Sequence, residues 1–247
     1  MKTIIFPTQE AVFAAAEHIL AQIRKNKSAV IALSAGEDEL RVWERVVLRA
    51  REERISLSEL VFLAACEFEE LPAGEKGGVG QRLRDTILAA SDASAEGLFI
   101  PDAAEPSAFD ELIKRLGGID LAVLGLGENA RVAFNEPATQ YDTHTHVQRL
   151  TDRTKRELAP LFGGEDSVPP RGVTMGFREL CAVRELLVIA LGESKSKALF
   201  HMLYARDDSV YPAAFLQLPP NVTVYADDAA ASRLEGKSFD AVAFNSD

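Results

Sequence analysis

The feature that most constrains the fold is an apolar run that stops at two glycines near the middle of the chain. Residues 119–124 have the length and composition of a buried strand, and Gly125 and Gly127 break it. A polar turn follows and closes at Pro137. In an α/β protein, such a strand delivers the next side chains to the carboxyl edge of the sheet, where ligands usually bind. The stretch therefore predicts a buried central strand with a binding site at its end.

Apolar runs of strand length alternate with helical patterns over the rest of the chain. The predicted strands are residues 28–33, 60–65, 97–100, 119–124, 186–191 and 222–225. The predicted helices are residues 9–25, 37–52, 81–90, 108–116, 152–159 and 196–204. Thr8 is predicted to cap the first helix, and Pro160 to end the fifth. The residues that the second helix is predicted to bury are Leu40, Trp43, Val47 and Leu48. This alternation predicts an α/β fold, with a mostly parallel sheet and helices on both faces.

The composition fits one large α/β domain over residues 1–247. Of the 247 residues, 47% are hydrophobic, which is enough for a sizeable core, and no linker or repeat interrupts the chain. The first apolar run, residues 4–6, is far too short for a signal peptide or a membrane span. We therefore expect a cytoplasmic protein.

The charge and the cysteines exclude several kinds of partner. The net charge of −11 disfavours nucleic acid and anionic membranes as main partners. A small anionic ligand stays compatible with it, because a few local amides or arginines outweigh the average charge. Cys66 and Cys181 are too few for a disulfide framework and lack metal-ligand spacing, so both are expected as reduced thiols.

The stretch after the central strand resembles the signature of the glucosamine-6-phosphate deaminase/isomerase family, whose superfamily includes the 6-phosphogluconolactonases. The family pattern is Gly-x-Gly-x-Asp-Gly-His-x-Ala-Phe-Asn-Glu-Pro, and the chain has both glycines and the whole ending, residues 133–137. That ending favours the deaminase branch. Asn129, Ala130 and Arg131 stand where the family has Asp, Gly and His. The resemblance runs from Phe6 to Leu234 and implies a Rossmann-like deaminase/isomerase fold.

The resemblance also points to positions on the phosphate side of a sugar ligand. Residues 34–36, Ser-Ala-Gly, stand where the family has its phosphate loop, and Glu37 and Asp38 follow as replacements. These two acids either cap a helix or compete with a phosphate for its amides. Lys195 matches the family lysine that approaches the sugar phosphate, and its alternative is an ordinary first-turn lysine. Thr139 keeps a hydroxyl, and His146 takes the position of a phosphate-gripping arginine.

The chemical groups implied by the resemblance are partly replaced. The family reaction opens a phosphorylated amino sugar, moves a proton between adjacent carbons and releases ammonia. Cys66 stands at the position of the family base, Glu67 matches the next residue, and only Glu136 keeps its type. Arg131 cannot shuttle protons, because it stays charged. The reworked mechanism therefore uses Glu136 as acid/base, Glu67 or Cys66 as the carbon base, and Arg131 as an anion clamp. The alternatives are a small buried side chain for Cys66 and a surface acid for Glu67.

His144 and His146 would face one side of an extended strand, but a metal site needs a third ligand that the sequence does not specify. No metal and no cofactor are predicted.

Three functions are carried forward. The first is a glucosamine-6-phosphate isomerase/deaminase-like protein of carbohydrate metabolism with a reworked active site. The second is a non-catalytic paralogue that binds a small sugar or sugar acid, or serves as a partner subunit. The third is a 6-phosphogluconolactonase-like hydrolase. The expected partner is a sugar or sugar phosphate, and the resemblance allows a homo-oligomer. The predicted ligand-binding residues are Ser34, Gly36, Gly125, Gly127, Asn129, Arg131, Thr139, His146 and Lys195.

Overall fold

A seven-stranded parallel sheet forms the centre of the molecule. The computed structural model describes residues 1–72, 74–205 and 210–234, so the predicted single domain, 1–247, extends beyond the described ranges. The strands are β1 (Lys2–Phe6), β2 (Val30–Leu33), β3 (Val61–Ala64), β4 (Cys66–Phe68), β5 (Leu98–Phe99), β6 (Leu121–Gly125), β7 (His146–Arg149), β8 (Arg171–Thr174), β9 (Glu185–Ala190) and β10 (Val222–Asp227). The main sheet has the order β1-β10-β9-β6-β2-β3-β5, and every pairing in it is parallel. The predicted fold class is confirmed.

Helices cover both faces of this sheet. They are α1 (Thr8–Lys25), α2 (Glu37–Glu53), α3 (Val79–Leu83) with a π-helical turn (Arg84–Leu88), α4 (Pro106–Arg115), α5 (Asp152–Phe162), α6 (Phe177–Leu180) and α7 (Ser196–Tyr204). Side chains alternate between the two faces of a strand. Val123 of β6 therefore packs with α1 and α2, whereas Ala122 and Leu124 pack with α4 and α7. Within the described ranges, no helix is long and apolar enough to cross a bilayer.

A second, antiparallel sheet has the order β4-β8-β7. The predicted strand 60–65 ends at Ala64 in the main sheet, and the chain then enters β4 at Cys66. Ala65 is the junction: its N–H donates to Leu33 of the main sheet, and its carbonyl accepts from Met175 beyond β8. Cys66 and Glu67 therefore leave the main sheet just at its carboxyl edge.

Three local predictions were wrong. Pro7, not Thr8, is the N-cap of α1, because the Thr8 hydroxyl donates to Asp227 Oδ2 at 2.7 Å instead of turning back to the helix. Leu48 is 47% exposed, since the buried face of α2 is already formed by residues such as Trp43 and Val47. Pro160 lies inside α5, which ends only where Gly163 takes the left-handed conformation with φ of 75°.

Candidate functional site

A cleft of about 640 Å³ lies at the carboxyl edge of the main sheet. The loops after β2, β6, β9 and β10 line it together with α5. The predicted residues that meet there are Ser34, Gly36, Cys66, Gly125, Gly127, Arg131 and Lys195. The cleft also has charged side chains of both signs: Glu37, Asp38, Glu39, Glu157 and Asp227, and Arg41, Arg82, Arg131 and Lys195. The predicted position of the site is therefore where the structure has its cleft.

The loop after β2 is filled by a carboxylate of the protein itself. Glu39 is 4% exposed, and its Oε1 accepts from the Ser34 hydroxyl at 2.5 Å and from the Gly36 N–H at 3.1 Å. The two glycines make room for it: a Cβ on Gly125 would lie 2.1 Å from Glu39 Oε2, and one on Gly36 would lie 2.6 Å from it. An amide and a hydroxyl at a helix N-terminus form an anion-binding arrangement. Here Glu39 already occupies it.

Asp38 is the cleft acid that titrates closest to neutrality. Burial and then the Glu39 carboxylate raise the pKa of Asp38 to about 6, although the N–H of Leu191 donates to its Oδ2 at 3.1 Å. Sequence reasoning treated Asp38 only as a cap or a competitor of phosphate. The structure makes it a group that exists in both protonation states near pH 6, which suits proton transfer.

Asp38→Asn is expected to stabilise the protein above pH 6 and not below pH 4. The raised pKa means that the folded state holds a proton between about pH 4 and 6 that the unfolded state has lost, so ionisation destabilises the fold. We expect a gain of about 1 kcal/mol at pH 8, a shift of about 2–4 °C in melting temperature, after discounting for partial exposure. Thermal unfolding at pH 4 and pH 8 measures it. Glu37→Gln, an exposed acid in the same turn, is the control, and an equal gain there would contradict the assignment.

Glu157 of α5 holds the two cations of the cleft floor. Its Oε2 accepts from Arg131 Nη1 at 2.9 Å and its Oε1 from Lys195 Nζ at 2.6 Å. Burial raises the pKa of Glu157, but Arg131 and Lys195 outweigh it and leave the pKa below its usual range. All three side chains are largely buried. Neither cation is therefore a free anion site, and the sequence gave no signal for Glu157 because it lies 26 residues from Arg131.

Arg131 lies directly against the glycine turn that follows β6. A Cβ on Gly127 would lie 1.8 Å from Arg131 Nη1, so only glycine lets the guanidinium reach the cleft. Its Nε is buried and has no hydrogen-bond partner among the described residues. The guanidinium therefore keeps one donor for a ligand or a water.

Glu136 is buried away from the cleft. Its Oε2 accepts from Asn129 Nδ2 at 2.6 Å and from the Thr151 hydroxyl at 3.2 Å, and its Oε1 accepts from the Thr151 N–H at 3.1 Å. It is 1% exposed. Thr139 is held in the same region, where its hydroxyl donates to the Glu136 carbonyl. This geometry makes Glu136 and Asn129 a network that fixes the turn.

The two predicted carbon bases are also occupied otherwise. Glu67 accepts from the N–H groups of Phe68 and Val79 through Oε1 and from that of Gly80 through Oε2, so it anchors the start of α3. It is not the surface acid of the alternative interpretation. Cys66 lines the cleft, but burial, with a further contribution from Glu67, raises the pKa of its thiol far above the usual range. A neutral thiol is a poor base.

His146 begins β7 and bonds locally, through Nδ1 to the His144 carbonyl and through Nε2 to Gln148. The predicted site residues that do not line the cleft, among the residues that the structure describes, are Glu67, Asn129, Glu136, Thr139 and His146. The site residues that sequence reasoning missed are Glu39 and Glu157, together with Asp38 as a titrating group. Glu39 carried one usable signal, since Glu at the third helical position after a cap typically bonds back to the cap.

The chain is similar to curated deaminases over nearly its whole length. It is 33% identical to the glucosamine-6-phosphate deaminase of Mycolicibacterium smegmatis over 95% of this chain and 93% of that one. It is 29% identical to that of Mycoplasma mycoides, over 95% and 98% of the two chains. The solved structure of a monomeric glucosamine-6-phosphate deaminase is 27% identical, with a TM-score of 0.91 over 94% of this chain and 100% of that one. No family model matches the sequence.

Proposed function

Because the chain belongs to the glucosamine-6-phosphate deaminase family, we propose that it is a glucosamine-6-phosphate isomerase/deaminase-like protein of carbohydrate metabolism with its ligand in this cleft. The observation that carries the proposal is the meeting of the two glycines of the signature, Arg131 and Lys195 at the carboxyl edge of the sheet. The expected ligand is an amino-sugar phosphate, and the expected reaction moves a proton between adjacent carbons and releases ammonia.

Asp38 is the proton carrier that we propose for this reaction. Near neutral pH the reaction needs a cleft group that both accepts and donates a proton. Asp38 lines the cleft and has its pKa raised to about 6. Glu136 and Glu67 spend their oxygens on other parts of the protein, and Cys66 stays protonated. Asp38→Asn should therefore abolish ammonia release even though it stabilises the fold above pH 6.

A thermal-shift screen combined with an ammonia assay tests the function. A ligand that binds only the folded state raises the melting temperature by mass action, whether or not it reacts. Glucosamine 6-phosphate should raise it more than glucosamine, glucose 6-phosphate or gluconate, and should release ammonia in a manner that Asp38→Asn removes. Absence of any shift with amino-sugar phosphates would overturn the proposal.

A second candidate function, ligand binding without turnover, is favoured by one observation. Carboxylates of the protein occupy the anion-binding groups: Glu39 holds Ser34 and Gly36, and Glu157 holds Arg131 and Lys195. A shift with an unphosphorylated sugar or a sugar acid, without ammonia release, would favour this candidate. Lactone hydrolysis gains no comparable support, since the 6-phosphogluconolactonase of Trypanosoma brucei is 18% identical and shares the fold alone.

Glu39→Ala is expected to strengthen phosphate binding. The substitution frees the Ser34 hydroxyl and the Gly36 N–H and removes a negative charge next to them. A hydrogen bond to a charged group contributes about 1.5–3 kcal/mol, so the Kd of inorganic phosphate should fall about 10-fold or more. Isothermal titration measures it. Glu37→Ala removes an exposed charge from the same turn as a control. An equal gain in that control would show a general charge effect and contradict the role of Glu39.

A further inference from the structure

A cluster of three metal-ligand side chains lies outside the cleft. Asp110 comes from α4, His144 from the segment before β7, and Glu179 from α6. One ligand atom from each residue lies within 4.8 Å of the others. The sequence alone supplied no third ligand for His144, because the two carboxylates are 34 and 35 residues away on separate helices. The fold supplies both, and His146 is not among the three.

The distances in the cluster suit a shared ion. His144 Nδ1 lies 2.6 Å from Glu179 Oε1 and 3.6 Å from Asp110 Oδ2. Donors that share a tetrahedral zinc ion at its usual bond lengths lie roughly 3.3 Å apart. The two observed distances lie on either side of that value, so small side-chain movements would place all three donors around one ion.

The burial of the two acids points to a missing positive charge. The side chains of Asp110 and Glu179 are each 9% exposed, whereas that of His144 is 52% exposed. Glu179 Oε2 is buried and has no hydrogen-bond partner among the described residues. Buried carboxylates are ordinarily paired with a cation or bound to a metal. One half-exposed imidazole, neutral above its ordinary pKa, is a weak counter-charge for two of them.

We propose that Asp110, His144 and Glu179 form a site for a divalent transition-metal ion, with Zn²⁺ as its ligand. An imidazole nitrogen with two carboxylates is a donor set that zinc accepts and that Mg²⁺, which prefers oxygen ligands and water, does not favour. The exposed side of His144 leaves a path for the ion and room for a water as fourth ligand. The orphaned Glu179 oxygen can bind the ion as a second donor or accept from that water.

A neighbouring hydroxyl holds one of the ligands in place. The Thr145 hydroxyl donates to Asp110 Oδ1, which leaves Oδ2 turned toward His144. Partners of this kind fix the orientation of metal ligands. A bound ion would tie α4, α6 and the segment before β7 together, so its role is structural and does not depend on the reaction in the cleft.

Zinc titration of the full chain after removal of metals with a chelator tests the site. Wild-type protein should bind one Zn²⁺ per chain, and Co²⁺ should give the visible absorption of a low-coordinate site. His144→Ala and Glu179→Gln should each weaken zinc binding by at least about 10-fold. His144 is half exposed, so its variant keeps the test valid even if Glu179→Gln does not fold. Far-UV circular dichroism checks the fold of each variant.

His146→Ala is the matched control, because it removes a histidine two residues away that lies outside the cluster. It should leave the zinc affinity unchanged. Absence of zinc binding by the wild type would overturn the proposal, and so would an equal loss in His146→Ala or an unchanged affinity in folded His144→Ala. Competition by millimolar Mg²⁺ as strong as that by Co²⁺ would overturn the assignment to a transition metal.

Discussion

Glu157→Gln should lower the free energy of unfolding by about 3 kcal/mol and the melting temperature by roughly 6–12 °C at pH 7. The carboxylate binds Arg131 at 2.9 Å and Lys195 at 2.6 Å, and all three side chains are largely buried. Removing one partner of a buried ion pair leaves an uncompensated charge, which costs more than the pair itself is worth. Here two cations are left, and partial exposure of Lys195 keeps the loss near the lower end of the usual range.

The same variant should gain affinity for anions. Arg131 and Lys195 would both face the cleft without a carboxylate between them, so added phosphate should raise the melting temperature of Glu157→Gln more than that of the wild type. The stability difference should shrink in acid, because the lowered pKa of Glu157 means that its contribution is present at neutral pH and lost as the pH falls.

Glu165→Gln provides the control for this prediction. Glu165 pairs with Arg156 at 3.9 Å on an exposed part of the chain, and such pairs contribute little. Its removal should change the melting temperature by less than about 2 °C. If Glu157→Gln is no less stable than Glu165→Gln, the three side chains do not form the coupled unit that the geometry indicates.

Glu136→Gln should also destabilise the protein by about 3 kcal/mol, with a fall of roughly 6–12 °C in melting temperature. Three donors converge on this buried carboxylate, from Asn129 Nδ2 and from the N–H and hydroxyl of Thr151. The NH₂ group of glutamine would place a donor against one of them, and a buried group would lose its partner. Thermal unfolding measures the loss.

Activity separates this expectation from the acid/base role inferred from the sequence. A catalytic Glu136 requires that turnover disappears while the melting temperature stays near that of the wild type. The geometry requires the reverse: ammonia release assayed well below both melting temperatures should persist. Glu128→Gln, in the same turn but with a partly exposed side chain paired to Arg153, should change neither quantity.

The main sheet was predictable from the sequence because its inner strands are buried on both faces. Strands β2, β6 and β9 read as continuous apolar runs, which a linear pattern reveals. The second sheet was not predicted. Strand β7 has no fully buried residue, and β4 has only three residues, so neither carries a periodic signal. Their pairing with β8 depends on contacts between segments about 25–105 residues apart in sequence.

The candidate site divides in the same way. The glycines after β6 and Lys195 could be placed at the cleft from sequence, because strand ends determine where loops lie. The hydrogen-bond partners could not be placed. Glu157 reaches Arg131 and Lys195 only through the packing of α5 over the cleft, and Glu136 turns away to Thr151. A residue that matches a motif in sequence can thus use its functional atoms for holding the fold.

The pairing of β1 with β10 has a consequence for how the chain is made. Lys2 lies opposite Thr223 and Phe6 opposite Asp227, so the first strand can find its neighbour only when nearly the whole protein has been translated. At ordinary rates of synthesis, roughly 10–40 s separate the appearance of the two strands on the ribosome. Throughout that interval the apolar residues Ile4, Ile5 and Phe6 have no sheet to join, and a nascent chain in this state is a substrate for a trigger-type chaperone or for self-association.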